Sequence, residues 1–165
     1  MNKALFLDRD GTINQDLGYV YKIEDFHFID GAVDFCRLAQ EKGYKIIIIT
    51  NQSGIARGYY TEKEYQKLTD YMRQEFEKQG VFITDVFHCP ELSGPDRKPN
   101  AGLFLKAQEK YNLNMENSIS VGDKERDIQA AITAGIKQNY LLTDKNISTK
   151  ATKKISSFKE LEDIL

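Results

Sequence analysis

Sulfur and imidazole are scarce in this 165-residue chain, which has 2 cysteines and 2 histidines. Cys36 and Cys89 are too few for a disulfide framework. His88 beside Cys89 hints at a metal, but tetrahedral zinc needs four ligands and no further Cys or His lies nearby. Neither His27 nor His88 has an obvious partner, so no Ser-His-Asp set is offered. A Gly-x-x-x-x-Gly-Lys phosphate loop is missing too. No apolar run approaches the ~20 residues that cross a bilayer. The N-terminus enters a strand at once, without the apolar core of a signal peptide. The expectation is a cytoplasmic protein with no membrane partner. Charge excess is also lacking: 23 Lys and Arg stand against 25 Asp and Glu, a formal net charge of −2. A nucleic-acid binder is more often basic, so no nucleic-acid partner is expected. There is no internal repeat, no low-complexity stretch and no coiled-coil heptad. The expectation is one domain over residues 1–165, a monomer by default.

The chain turns on Lys3-Ala4-Leu5-Phe6-Leu7-Asp8-Arg9-Asp10-Gly11-Thr12. The apolar run Ala4 to Leu7 is short and lies between polar residues, which predicts a buried strand. Asp8 and Asp10 follow it two residues apart, so in an extended chain they point to one side. They sit just past the strand's C-terminal end, where open parallel sheets bind ligands. Gly11 permits a sharp turn there. Two close carboxylates repel unless a proton or a cation lies between them. The pair asks for Mg²⁺, for one acid and one anion, or for both.

Ile13 to Asp30 is long for a connector and leaves the same strand end, so it reads as a wall of a pocket. Ala32, Phe35, Cys36 and Ala39 recur at helical spacing and Gly43 closes that helix. On that face Cys36 is core. Tyr44 to Ile49 is apolar on both faces, as in a central parallel strand. It ends in Thr50-Asn51-Gln52-Ser53-Gly54, either a polar turn or groups that gather on an oxyanion. Thr61 to Glu64 is a capping box for a helix to about Gln79, with Tyr65, Leu68, Met72 and Phe76 inward and Gly80 as its stop. Val81 to His88 reads as a strand. Cys89 to Asn100 is a loop ending in Arg97-Lys98-Pro99, before a helix from Ala101 to Tyr111.

Ser118 to Val121 is a short strand that runs into Gly122-Asp123-Lys124-Glu125-Arg126-Asp127. Asp123 suits an N-cap. Capping does not explain Asp127, four residues on and on the same helix face. Lys137 to Leu142 is a last strand, Lys145 to Lys154 a solvated basic loop, and Phe158 to Leu165 a short helix. Alternating strands and helices predict a doubly wound, Rossmann-like parallel α/β sheet with helices on both faces. Every polar cluster then falls at a strand C-terminus, which argues for one site.

That site gathers Asp8, Asp10, Thr50, Lys98, Asp123 and Asp127. Carboxylates with a lysine and a hydroxyl suit phosphoryl transfer, where positioning and charge neutralisation dominate. Mg²⁺ takes oxygen ligands and keeps several waters. A carboxylate can attack phosphorus to form an aspartyl-phosphate, while a second protonates the leaving oxygen and later activates water. Asp8, nearer the strand, is assigned the attack and Asp10 the acid/base role.

These residues resemble the four motifs of the haloacid dehalogenase (HAD) superfamily of phosphatases. Leu7 to Asn14, Gly18-Tyr19-Val20, Phe28 to Gly31, Thr50 to Gly58, Arg97-Lys98-Pro99 and Val121 to Lys124 are similar to those of the D-glycero-D-manno-heptose-1,7-bisphosphate 7-phosphatases. The resemblance spans Lys3 to about Leu142. It implies a HAD-like fold with minimal or no cap domain, Mg²⁺ as cofactor, and a small phosphosugar as substrate, in bacterial heptose precursor synthesis for lipopolysaccharide or another surface glycan. It implies that Asp8 attacks, that Asp10 is acid/base and lends Mg²⁺ its backbone carbonyl, and that Asp123 completes the metal shell with Asp127 in support. Thr50 and Lys98 would hold phosphoryl oxygens. Asp16, Leu17, Gly18, Tyr19, Asn51, Gln52, Ser53, Arg97 and Lys124 would contact sugar or remaining phosphate. The related histidinol-phosphate phosphatases share these motifs. The family's zinc loop, Cys-x-His and Cys-x-Cys before the Arg-Lys-Pro, is reduced here to Cys89, with Glu91 where the histidine would be. No zinc is expected.

Overall fold

The computed structural model describes residues 1–165. Six strands form one sheet: β1 Lys3–Leu7, β2 Tyr44–Asn51, β3 Asp85–Cys89, β4 Ile119–Gly122, β5 Gln138–Leu142 and β6 Lys153–Ile155. Their order is β3-β2-β1-β4-β5-β6 and every pair is parallel. The strand order reverses at β1, which has β2 on one side and β4 on the other. The crevice for a ligand lies at such a switch point, above the strand C-termini.

Four helices connect the strands: α1 Ala32–Glu41, α2 Glu62–Lys78, α3 Gly102–Tyr111 and α4 Glu125–Thr133. The isoleucines of β2 explain why both faces are covered. Ile46 and Ile48 pack with Leu5 and Leu7 against Phe35, Cys36, Leu68 and Met72 of α1 and α2. Ile47 and Ile49 point the other way, with Ala4 and Phe6, onto Phe104, Ala107 and Ala131 of α3 and α4. Each fully buried isoleucine is worth about 1.5–3 kcal/mol relative to exposure. Cys36 is fully buried, and burial pushes its thiol up to about 12, so it is core as its spacing implies.

The capping box at Thr61 forms: Glu64 N–H donates to Thr61 Oγ1 and Thr61 N–H donates to Glu64 Oε1. Tyr65, Leu68, Met72 and Phe76 all face inward. Four expectations need correction. The third strand begins at Asp85, not Val81. Val81 and Ile83 are buried under the end of α2 in irregular backbone, while Phe82 is exposed. The basic stretch expected to be loop contains β6, because Ile155 is buried and anchors it to β5. Lys153 and Lys154 blunt that sheet edge. The C-terminal turn over Phe158–Ile164 is a 3₁₀-helix, and it seats Phe158 and Leu161 in the core. Lys124, not Asp123, caps α4. Asp127 reaches back instead, accepting the N–H groups of Asp123 and Lys124 at 3.1 and 3.0 Å.

No cap is inserted between β1 and α1. Residues 8–31 form a loop with one 3₁₀ turn, Ile23–Asp25. No helix is long and apolar enough to cross a membrane.

Candidate active site

The ends of β1, β2 and β4, with the loop before α3, surround a cavity of about 310 Å³. Asp8, Asp10, Lys98 and Asp123 line its chemical end. Asp16, Gly18, Tyr19, Asn51, Gln52 and Ser53 line it from the two loops, and Arg97 and Lys124 from the rim. Two residues assigned from the sequence stand elsewhere. Leu17 is 57% exposed and is not on the cavity wall. Thr50 is buried just beneath the wall. Its hydroxyl accepts from Gln52 Nε2 at 2.9 Å.

Lys98 is the hub of the anionic cluster. Its side chain is 2% exposed, and Nζ lies 2.8 Å from Asp8 Oδ1 and 2.8 Å from Asp127 Oδ1. Nζ also donates to the carbonyl of Ile49 at 2.6 Å. Burial works to discharge this lysine, but the charges of Asp127 and Asp8 prevail and raise its pKa. Burial, reinforced by the charge of Asp127, lifts Asp8 to about 6 against the pull of Lys98. Asp123 rises to about 9, through burial, then the charges of Asp8 and Asp127, then its own hydrogen bond to Asp8. Three carboxylates thus face one lysine, and burial with their mutual repulsion favours the protonated forms of Asp8 and Asp123.

Asp8, Asp123 and Asp127 each place a carboxylate oxygen within 4.8 Å of the others. Asp127 has spent its oxygens on Lys98 and on two backbone N–H groups. Asp123 Oδ1 is buried with no partner at all. An all-oxygen set with one orphaned acceptor and a surplus of negative charge fits Mg²⁺, a hard cation. Gly11 makes the approach possible: at φ +87° it takes a left-handed turn, and a Cβ there would lie 2.1 Å from Asp123 Oδ2.

The carboxylate of Asp10 lies outside this three-carboxylate group. Its Oδ1 accepts from Arg9 Nε at 3.2 Å, Arg9 Nη2 at 3.0 Å and Asn14 Nδ2 at 3.0 Å. Its Oδ2 accepts from Gln52 Nε2 at 3.0 Å. The intervening arginine balances its charge. Gln52 is thereby committed: Nε2 serves Asp10 and Thr50, while Oε1 accepts from the Tyr60 hydroxyl. Burial pushes that phenol up to about 12, so it stays a donor. Gln52 is on the cavity wall with both ends of its amide already paired inside the protein. Asn51 is likewise paired with the Lys98 main chain.

Sequence reasoning passed over Arg9, Arg57, Tyr60 and Arg126. The last three line the cavity. Arg57, Arg97, Lys124 and Arg126 have no carboxylate partner; Arg97 is half-buried and the other three are exposed. Their signal was present as basic residues inside or beside the motif stretches. The structure also gives His88 the partner that the sequence hid. Its ring lies 2.8 Å from Glu62 and stacks on Tyr65, outside the cavity.

Comparison with known proteins places the chain in a family. Residues 3–159 match the family described as polynucleotide kinase 3 phosphatase. A D-glycero-alpha-D-manno-heptose-1,7-bisphosphate 7-phosphatase of Campylobacter jejuni is 49% identical over 99% of this chain and 94% of its own. A HAD-like phosphatase structure from Mesorhizobium loti superposes with a TM-score of 0.89 at 30% identity, covering 99% of this chain and 84% of that one. The D,D-heptose 1,7-bisphosphate phosphatase of B. bronchiseptica, solved with magnesium and phosphate, shares the fold with a TM-score of 0.87 at 24% identity. That alignment covers 98% of this chain and 97% of that one.

Proposed function

Because the chain belongs to the polynucleotide kinase 3 phosphatase family and is a HAD phosphatase, we propose that it removes the 7-phosphate of D-glycero-D-manno-heptose 1,7-bisphosphate. The observation that carries this reading is the buried Asp8–Lys98–Asp127 ion-pair chain at the chemical end of a cavity whose wall also carries Arg57, Arg97, Lys124 and Arg126, none with a carboxylate partner. Such a cavity can hold one phosphoryl group at the chemical end and a second anionic group at the other.

The chain's residues divide the work as follows. Lys98 neutralises and orients Asp8, whose free oxygen attacks phosphorus and leaves an aspartyl-phosphate. Asp10 gives a proton to the departing sugar oxygen and later takes one from the attacking water. Asp8 and Asp123 would hold Mg²⁺ with the Asp10 carbonyl, and Asp127 would fix Asp123 and Lys98. The ion would supply charge neutralisation for the phosphoryl oxygens. Thr50 supports this end from below. Ser53, Asp16, Tyr19, Arg97 and Lys124 would meet the sugar and its 1-phosphate. In this reading the loop after β3 carries no zinc, because only Cys89 of a zinc ligand set is present there. One domain over residues 1–165, acting in the cytoplasm on a heptose precursor of a surface glycan, completes the proposal.

The test is a phosphate-release panel in Mg²⁺: both anomers of the heptose bisphosphate, histidinol phosphate, and an oligonucleotide 3′-phosphate. The expected order places a heptose bisphosphate first by kcat/KM. Faster release from histidinol phosphate or from the oligonucleotide would overturn the substrate assignment.

A further inference from the structure

Arg9 lies between the two aspartates and is 1% exposed, one of the largest fully buried side chains in the protein. Its backbone carbonyl closes the turn after β1, accepting from Thr12, Ile13 and Asn14 at 3.2, 2.8 and 3.2 Å. Its guanidinium grips both oxygens of Asp10, with Nη2 3.0 Å from Oδ1 and 3.1 Å from Oδ2. Asp10 is its one carboxylate partner. The same Nη2 donates to the carbonyl of Val20 at 2.6 Å. Val20 follows Gly18 and Tyr19, both at positive φ and both on the cavity wall. The guanidinium carbon stands 5.9 Å from the centre of the Tyr65 ring. Nη1 is buried without a partner.

A guanidinium buried for its own solvation would have its donors filled. This one leaves a nitrogen unpaired and turns its others to a reacting carboxylate and to the loop that faces substrate. We propose that Arg9 is a positioning residue for the acid/base Asp10, and that through Val20 it ties the placement of that carboxylate to the substrate-facing loop at Gly18 and Tyr19. The inference rests on the reading of Asp10 as acid/base, not on the heptose assignment. Arg9 is not on the cavity wall and acts on the reaction only through Asp10. It fixes where the proton is delivered. Gln52 holds Asp10 Oδ2 and Asn14 holds Oδ1, each at 3.0 Å, so losing Arg9 removes three of the five side-chain hydrogen bonds on the carboxylate and loosens it without releasing it. Lysine cannot restore the grip, because a point charge has no planar fork for two carboxylate oxygens and a carbonyl.

The test is the dependence of kcat/KM on the leaving group, for the wild type, Arg9→Lys, Arg9→Met and Asp10→Asn, each with Mg²⁺. Phenyl phosphate departs as a poor leaving group and needs its oxygen protonated; p-nitrophenyl phosphate departs well and does not. Both are independent of the sugar, so the outcome stands apart from the heptose reading. General acid catalysis is worth roughly 10²–10⁴-fold. Asp10→Asn should therefore lose about that factor on phenyl phosphate and far less on p-nitrophenyl phosphate. Arg9→Lys, with wild-type circular dichroism and thermal midpoint, should show the same selective loss, at least about tenfold larger for phenyl than for p-nitrophenyl phosphate. Arg9→Met should match or exceed it. Equal losses on both esters would overturn the proposal, as would no loss. Failure of both Arg9 variants to fold would also overturn it, because Arg9 would then serve the fold alone.

Discussion

Asn51 and Lys98 clasp each other by their amides: the Lys98 N–H donates to Asn51 Oδ1 and Asn51 Nδ2 donates to the Lys98 carbonyl, both at 3.1 Å. The clasp joins the end of β2 to the loop before α3. It sets the height at which Lys98 Nζ meets Asp8.

Asn51→Leu keeps the size of that side chain and removes both hydrogen bonds. Lys98 should then drift from Asp8, and a misplacement of about 1 Å at a catalytic group costs on the order of 10²-fold. The expected result is a fall in kcat of that order, with secondary structure by circular dichroism unchanged. The effect should be equal on phenyl and p-nitrophenyl phosphate, unlike that of Arg9.

Removing the lysine itself is harsher. Lys98→Met leaves Asp8 and Asp127 buried without their cation. Breaking one partner out of a buried pair costs about 3–5 kcal/mol. Urea denaturation should show a loss of that order near neutral pH, and phosphatase activity should vanish.

The metal-free protein should become less stable as pH rises. Asp8 at about 6 and Asp123 at about 9 both lie above their ordinary value of 3.8. The native state thus binds more protons than the unfolded chain between pH 4 and 9, and stability falls with increasing pH across that window. Mg²⁺ must displace the proton on Asp123, so its affinity should rise with pH up to about 9. Differential scanning fluorimetry from pH 5 to 9 checks both signs: the thermal midpoint without metal should decline, and the increment given by Mg²⁺ should grow.

Gly11→Ala should separate activity from folding. A methyl there would meet Asp123 Oδ2 at 2.1 Å and sit on a left-handed turn. The carboxylate must move, so Mg²⁺ affinity by calorimetry should fall at least tenfold, a loss of about 1.4 kcal/mol.

Arg57 and Arg126 should matter in proportion to the second charge on the substrate. Each is on the cavity wall and has no acidic partner. Alanine at either position should raise KM for the heptose bisphosphate with kcat little changed, the pattern of lost uniform binding. Hydrolysis of p-nitrophenyl phosphate should be unaffected.

The sequence made the architecture legible where periodicity and burial agree. The isoleucines of β2 demand cover on both faces, and the structure supplies α1 and α2 on one and α3 and α4 on the other. Asp8, Lys98 and Asp123 meet as their motifs imply. What stayed hidden was the partner of each group. Spacing put Asp10 beside Asp8, but only the fold reveals that Arg9 turns back onto it and that Gln52 reaches it across 42 residues. Asp123 looked like a helix cap because capping residues are read by type. The cap bonds come from Asp127, which lies one turn later on the helix. Edge strand β6 was missed because its lysines read as solvent, and a single buried isoleucine is too little pattern to announce a strand.

The account stands on a covalent step at Asp8. Turnover quenched during the steady state and treated with borohydride converts an aspartyl-phosphate to homoserine, which peptide mass spectrometry locates by residue. The prediction is homoserine at position 8 in the wild type and none in Asp8→Asn. Homoserine at position 10, or its absence from a protein that is turning over with the intermediate accumulating, would contradict it.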